Sequence, residues 1–206
     1  MGHRALIAYE RRDENYNLHY SHWGACDLRL KHTITEATPF GGECPTEVAH
    51  EAFDALIEGE DVETGLDEYG RRGTADVDLE PRAMDVALEE ILAEHLDYLQ
   101  HEAFYIVDRS FDVTAYRTLW FGLQYDSEIV ESSPCVGHGA LRTVRWYEGE
   151  PVGDGHTRGA FAGTKRVVGD MVDRGVFDRD GALEYLAATV RAATCPHAEV
   201  RITRAD

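Results

Sequence analysis

Potential metal ligands and acid/base groups crowd one short stretch. "NLHYSHWGACDLRLKH", residues 17 to 32, carries His19, His22, Cys26 and His32 beside Trp23. Imidazole and thiolate groups hold zinc, and a histidine titrating near neutrality is the common general base. Spacing decides between these uses. A strand-borne zinc site needs His-x-His and a helical one needs His at i and i+4, whereas His19 and His22 are separated by three. If residues 16 to 23 form a strand, Tyr16, Leu18, Tyr20 and His22 face one way and Asn17, His19, Ser21 and Trp23 the other. The two imidazoles then lie on opposite faces. No metal is expected there, and His22 is left as the candidate catalytic residue.

Other chemistry is thinner. "CVGH" places Cys135 and His138 at a ligand-like spacing, and loops could gather Cys26 and Cys44 beside them, but a structural zinc site usually shows two such pairs. Inert cysteines are the favoured reading. The chain has no GxSxG and no SxxK, the forms in which a nucleophile is locally recognisable. "GAFAGTKR", residues 159 to 166, brings glycines and two cations together. It is not a phosphate loop of the Walker type, since Thr164 stands where the lysine should directly follow Gly163. A glycine face for helix packing is expected instead. Carboxylates are too numerous for any pair to be singled out.

That abundance is the strongest compositional signal. Asp and Glu number 39 against 20 Lys and Arg, a formal net charge of -19, and Lys31 and Lys165 are the only lysines. The acids are spread along nearly every segment among 10% aromatic residues, unlike a disordered acidic tail. Acid-rich and lysine-poor composition fits a surface adapted to molar salt, where a Debye length of about 3 Å screens self-repulsion. Phosphate backbones and anionic membranes are disfavoured as partners. The four cysteines, Cys26, Cys44, Cys135 and Cys195, are too scattered for a disulfide scaffold. With no long apolar run and no signal-like start, a soluble cytoplasmic protein is expected.

These groups must be positioned by recognisable elements. "RALIAYE" and "YNLHYSHW", separated by the turn-forming "RRDEN", predict an N-terminal β-hairpin. "TPFGGECP" is a loop, and "TEVAHEAFDALIEG" a helix capped by Thr46 or Cys44. Residues 60 to 80 read as an acidic, flexible insertion within one domain spanning 1 to 206. Pro81 should open a helix carrying Met84, Leu88, Ile91, Leu92, His95, Leu96 and Leu99 on one stripe. Strands are expected at 103 to 109, 114 to 125, 140 to 149 and 198 to 203, and helices within 158 to 174 and from 179 to 193, the last capped by Asp178. The fold class is α+β, a mainly antiparallel sheet packed by about four helices.

At "MGHRALIAYER", "YNLHYSHWGA", "LRLKHTIT" and "TPFGG", within residues 1 to 42, the chain resembles an uncharacterised family of haloarchaeal proteins, and the resemblance runs through most of its length. More distantly, the hairpin is similar to short bacterial and phage proteins of unknown function that open Met-Gly-x-Arg. Those carry Trp-Asp-Gly where this chain has Trp23, Gly24 and Ala25, so the aspartate is lacking. The resemblance implies a halophilic source and no particular activity.

An antiparallel hairpin brings its start, His3 and Arg4, to the same end as His22 and Trp23. Loops at one end of a sheet are where binding groups gather. The first expectation is therefore a small-ligand-binding or protein-binding domain using His3, Arg4, His22 and Trp23. The second is a small hydrolase with His22 as general base, with or without an assisting metal. No cofactor is expected.

Overall fold

The computed structural model describes residues 2–42, 47–58, 75–193 and 198–205. Nine strands and five α-helical segments lie among them: β1 (Ala5–Glu10), β2 (Tyr16–Ser21), α1 (Leu30–Thr33), α2 (Glu47–Glu58), β3 (Ala83–Val86), α3 (Leu88–Glu90), β4 (Ala103–Val107), β5 (Val113–Trp120), β6 (Gly139–Thr143), β7 (Arg145–Tyr147), β8 (Glu150–Val152), α4 (Asp154–Asp173), α5 (Arg179–Ala192) and β9 (Val200–Thr203). Seven strands form one sheet in the order β3-β2-β1-β4-β5-β6-β9, and β7-β8 is a separate ribbon. Pairing is mostly antiparallel, β1 with β4 being parallel. The α+β class is as expected, with five helical segments instead of about four. By its contacts the chain divides into two compact units, Met1–Ile91 with His101–Ala115, and Leu92–Gln100 with Tyr116–Asp206.

In the first unit the apolar run "ALIAYE" becomes β1, paired on both sides by β2 and β4 and buried from Ala5 to Tyr9. That is why it reads as continuous hydrophobicity and not as alternation. Its partner β2 buries three polar side chains at every second position, and each bonds a backbone carbonyl. Asn17 Nδ2 donates to Leu56 O at 2.9 Å, His19 Nδ1 lies 2.9 Å from Asp78 O, and Ser21 Oγ donates to Asp76 O at 2.5 Å. Buried polar groups are tolerated when so partnered. Here the partnering ties α2 and residues 76–78 to β2. Most of the expected 60 to 80 insertion lies outside the described residues, but its end is held: Asp78 N donates to Tyr20 O and Arg82 N to Leu18 O.

The helix expected from Pro81 is not one helix. Ala83–Val86 is instead the edge strand β3 against β2, and only α3 with a π turn at Ile91–His95 is helical. Asp85 sits at φ 57, a conformation no right-handed helix contains. Asn15 Nδ2 donates to its Oδ1 at 2.8 Å. The apolar spacing is thus shared among a strand, a short helix and a turn, and Met84 and Leu99 end up 41% and 39% exposed.

In the second unit, α4 and α5 cover β5, β6 and β9 through Leu119, Phe121, Phe161, Val168, Leu186 and Val190. The single strand expected at 140 to 149 is broken into β6 and β7, and a turn with Glu148 at φ 50 and Gly149 at φ 83 sends the chain back as β8. Asp178 caps α5 as expected, its Oδ1 accepting from Gly181 N at 2.8 Å. α4 starts earlier than expected, at Asp154. Gly169 allows α4 a close approach, since a Cβ there would lie 1.8 Å from the Asp126 carbonyl oxygen. No helix among the described residues is long and apolar enough to cross a membrane.

Candidate functional site

Register places the hairpin end. Ala5 faces Ser21, so residues 3 and 4 run alongside 22 to 25, and Ala25 N donates to His3 O at 2.9 Å. Three of the four expected side chains meet there. The His22 ring stands edge-on to Trp23 with centroids 4.9 Å apart, and His3 is tilted against the same indole at 6.2 Å. Trp23 is 50% exposed, a surface residue. His3 Nδ1 lies 3.2 Å from Glu102 Oε1, and Glu102 N donates to the Arg4 carbonyl. His22 Nδ1 is 3.2 Å from the Tyr20 hydroxyl. Tyr20 follows from strand parity, two residues before His22. Glu102 comes from a distant segment and has no local signal.

The other histidines and cysteines scatter. His19 is buried against Tyr9 and Phe40, and desolvation pushes its pKa down to about 4, with the bond to the Asp78 carbonyl opposing. It is a structural residue on the face opposite His22. Cys26 points at Asp27, His32 is exposed, and Cys44 and Cys195 lie outside the described residues. Cys135 Sγ reaches Ser133 O, and burial, then Asp97, raises its pKa. His138 is buried, its Nδ1 without a partner among the described residues, and its pKa is lowered by burial and then by Arg179 and Arg204. Among the described residues no group of three His, Cys, Asp or Glu could hold a metal ion.

"GAFAGTKR" lies inside α4, away from its start. Lys165 is buried, with Nζ 3.2 Å from Asp126 Oδ2 and 4.4 Å from the Trp120 ring centroid. Its charge is already matched. Packing does not explain the glycines of this motif, because a Cβ at Gly159 or Gly163 would meet nothing described within 4 Å.

A concave feature that was not expected lies within the second unit. A cavity of about 950 Å³ has β5 and β6 along one side, α4 and α5 along another, and Arg145 and Val152 of the ribbon at its edge. Leu119, Phe161, Val190 and Val152 give it apolar walls. Two of its arginines are held in place. Arg117, 7% exposed, donates from Nε to Asp154 Oδ2 at 2.9 Å. Arg142 donates through Nη1 to Thr157 Oγ1 at 2.5 Å and through Nη2 to Ala193 O at 2.9 Å, while Thr157 Oγ1 donates onward to Gly153 O. Arg145 is exposed, and its guanidinium has no hydrogen bond or ion pair to a described residue. An arginine inside each of two otherwise uncharged strands was the available signal, but only strand register unites them.

Residues 1–202 match a family of unknown function, DUF6735, and the chain belongs to it. Neither the curated proteins nor the solved structures offer a match.

Proposed function

We propose that this DUF6735 member is a small-ligand-binding protein and that its ligand occupies the cavity of the second unit. The observation that carries this reading is a largely apolar concavity of about 950 Å³ whose lining includes two arginines held by hydrogen bonds. Volume and lining of this kind are typical of small-molecule sites. The composition supports a haloarchaeal cytoplasm as the setting and disfavours nucleic acid as a partner. The test is native mass measurement of the full chain after gentle purification, beside Ala160→Trp, which places an indole on the cavity wall. A small-molecule adduct on the wild type, absent from the variant, is expected. An adduct of equal occupancy on both would move the ligand elsewhere.

A second reading is favoured by the hairpin end. In it the exposed His3, His22 and Trp23, with the half-buried Arg4 next to His3 in the chain, serve as a binding surface, or His22 acts as general base in a small hydrolase. The Tyr20 hydroxyl at 3.2 Å from His22 Nδ1 supports the latter, since an oriented imidazole is what base catalysis needs. Wild type and His22→Gln are compared on a panel of activated esters. Equal rates would remove the hydrolase.

A further inference from the structure

Arg117 on β5 and Arg142 on β6 are direct cross-strand partners. Residues so paired point to the same face about 5 Å apart, and like charges placed there destabilise a sheet. In a chain with 39 acids, two arginines facing each other on one cavity wall need a counter-charge. Asp154 supplies one, to Arg117. Arg142 is held only by neutral oxygens, Thr157 Oγ1 and Ala193 O. Of its five N–H donors, two are used by described residues, and Nε is buried without a partner. Arg145 adds a third guanidinium at the edge. Three arginines against one aspartate leave the described lining with an excess of two positive charges.

The backbone adds to this. α4 begins at the cavity, with Gly153 at φ 76 as its N-cap and no side chain capping its first turn. The start of this helix of 20 residues, whose first turn carries Asp154, therefore lines the same space. The rest of the lining is largely aliphatic and aromatic, with Leu119 on β5 two residues from Arg117, Phe161 on α4 and Val190 on α5.

Resting on the ligand-binding reading above, we propose that the ligand is an organic oxyanion, a carboxylate or phosphate monoester on a compact apolar body. Its head group sits against Arg142 and Arg145, and its body against Phe161, Leu119 and Val190. Guanidinium groups match both oxyanions bidentately, so the two head groups share one chemistry. The net charge of -19 repels anions at long range in dilute buffer. Local arginines overcome this where salt screens the distant field but not a contact pair.

The test is isothermal titration calorimetry of the full chain in molar KCl with three probes sharing one ring system: 1-naphthoate, 1-naphthyl phosphate and the uncharged 1-naphthalenemethanol. At least one anion should bind tenfold or more tighter than the alcohol, and the tighter of the two identifies the head group. Arg145→Gln, at an exposed side chain the fold does not use, should weaken that anion about fivefold and leave the alcohol unchanged. Equal binding of all three probes would overturn the oxyanion and leave the cavity reading intact. Binding of none would overturn both. Anion binding that neither Arg145→Gln nor Ala160→Trp weakens would place the anion elsewhere and overturn the proposal.

Discussion

Arg117 and Asp154 form a nearly buried ion pair, Nε to Oδ2 at 2.9 Å, that fixes the start of α4 against β5. Removing one partner takes the counter-charge away from a desolvated group, which costs more than the pair itself contributes. Asp154→Asn should lower unfolding free energy by about 3 kcal/mol, and Arg117→Met by a similar amount. The double variant should lose clearly less than the sum of the two. Urea unfolding of the four proteins decides it, and strict additivity would mean the pair does not hold the helix start.

His19 makes stability depend on pH. Burial holds its imidazole neutral, so the folded pKa is about 4 against an ordinary 6.5. The unfolded chain takes up the proton first as pH falls. The contribution is therefore complete above about pH 6.5 and is lost between there and about pH 4, reaching roughly 3 kcal/mol. Carboxylates titrate in the lower part of that window, so the measurement is the difference between wild type and His19→Gln. The variant should be less stable at pH 7 by about 1 kcal/mol, for a strained bond to the Asp78 carbonyl. The two stabilities should cross as pH falls, leaving the variant the more stable by about 2 kcal/mol near pH 4. A constant gap from pH 7 to pH 4 would show that His19 titrates normally.

Strand parity made much of the first unit legible. A period of two placed His19 and His22 on opposite faces, and a hairpin brought His3 to Trp23. Asp178 was legible as a cap because its partner lies three residues away. The edge strand β3 was not, because the apolar spacing from Met84 to Leu99 satisfies a helix and only Asp85, at positive φ against Asn15 and Asn17, breaks it. The cavity was not legible either. The Arg117 and Arg142 pairing depends on the register of two strands with a long loop between them. A scan for local motifs weighs each arginine alone.

Glycines of α4 should divide into two kinds. Gly163 faces open space, so Gly163→Ala removes only the helix-interior cost of glycine and should stabilise by about 0.8 kcal/mol. Gly169 meets the Asp126 carbonyl at 1.8 Å from an added Cβ. Gly169→Ala must push the loop or the helix away and should destabilise by about 3 kcal/mol despite alanine's better propensity. Thermal unfolding of both variants gives the signs. A stabilised Gly169→Ala would mean that the loop at Asp126 yields freely.

Salt should raise stability over a wide range. A formal charge of -19 concentrates on folding, so the compact state suffers more repulsion than the expanded chain. The repulsion extends over about 30 Å near 0.01 M salt and over about 3 Å near 1 M. Few cations offset it. Of the only two lysines, Lys165 pairs with half-buried Asp126, and Lys31 with Asp112 and the Val113 carbonyl. The midpoint of thermal unfolding should rise steeply between dilute buffer and about 0.3 M KCl, where the Debye length falls below charge spacings on the surface. Beyond that the rise should be shallower in KCl than in potassium sulfate, since only the excluded anion continues to strengthen apolar burial. Equal gains in both salts across the whole range would assign the effect to screening alone. A flat midpoint would mean that the carboxylates are already compensated in the folded state, and would turn attention from molar salt to a partner that the acidic surface recognises.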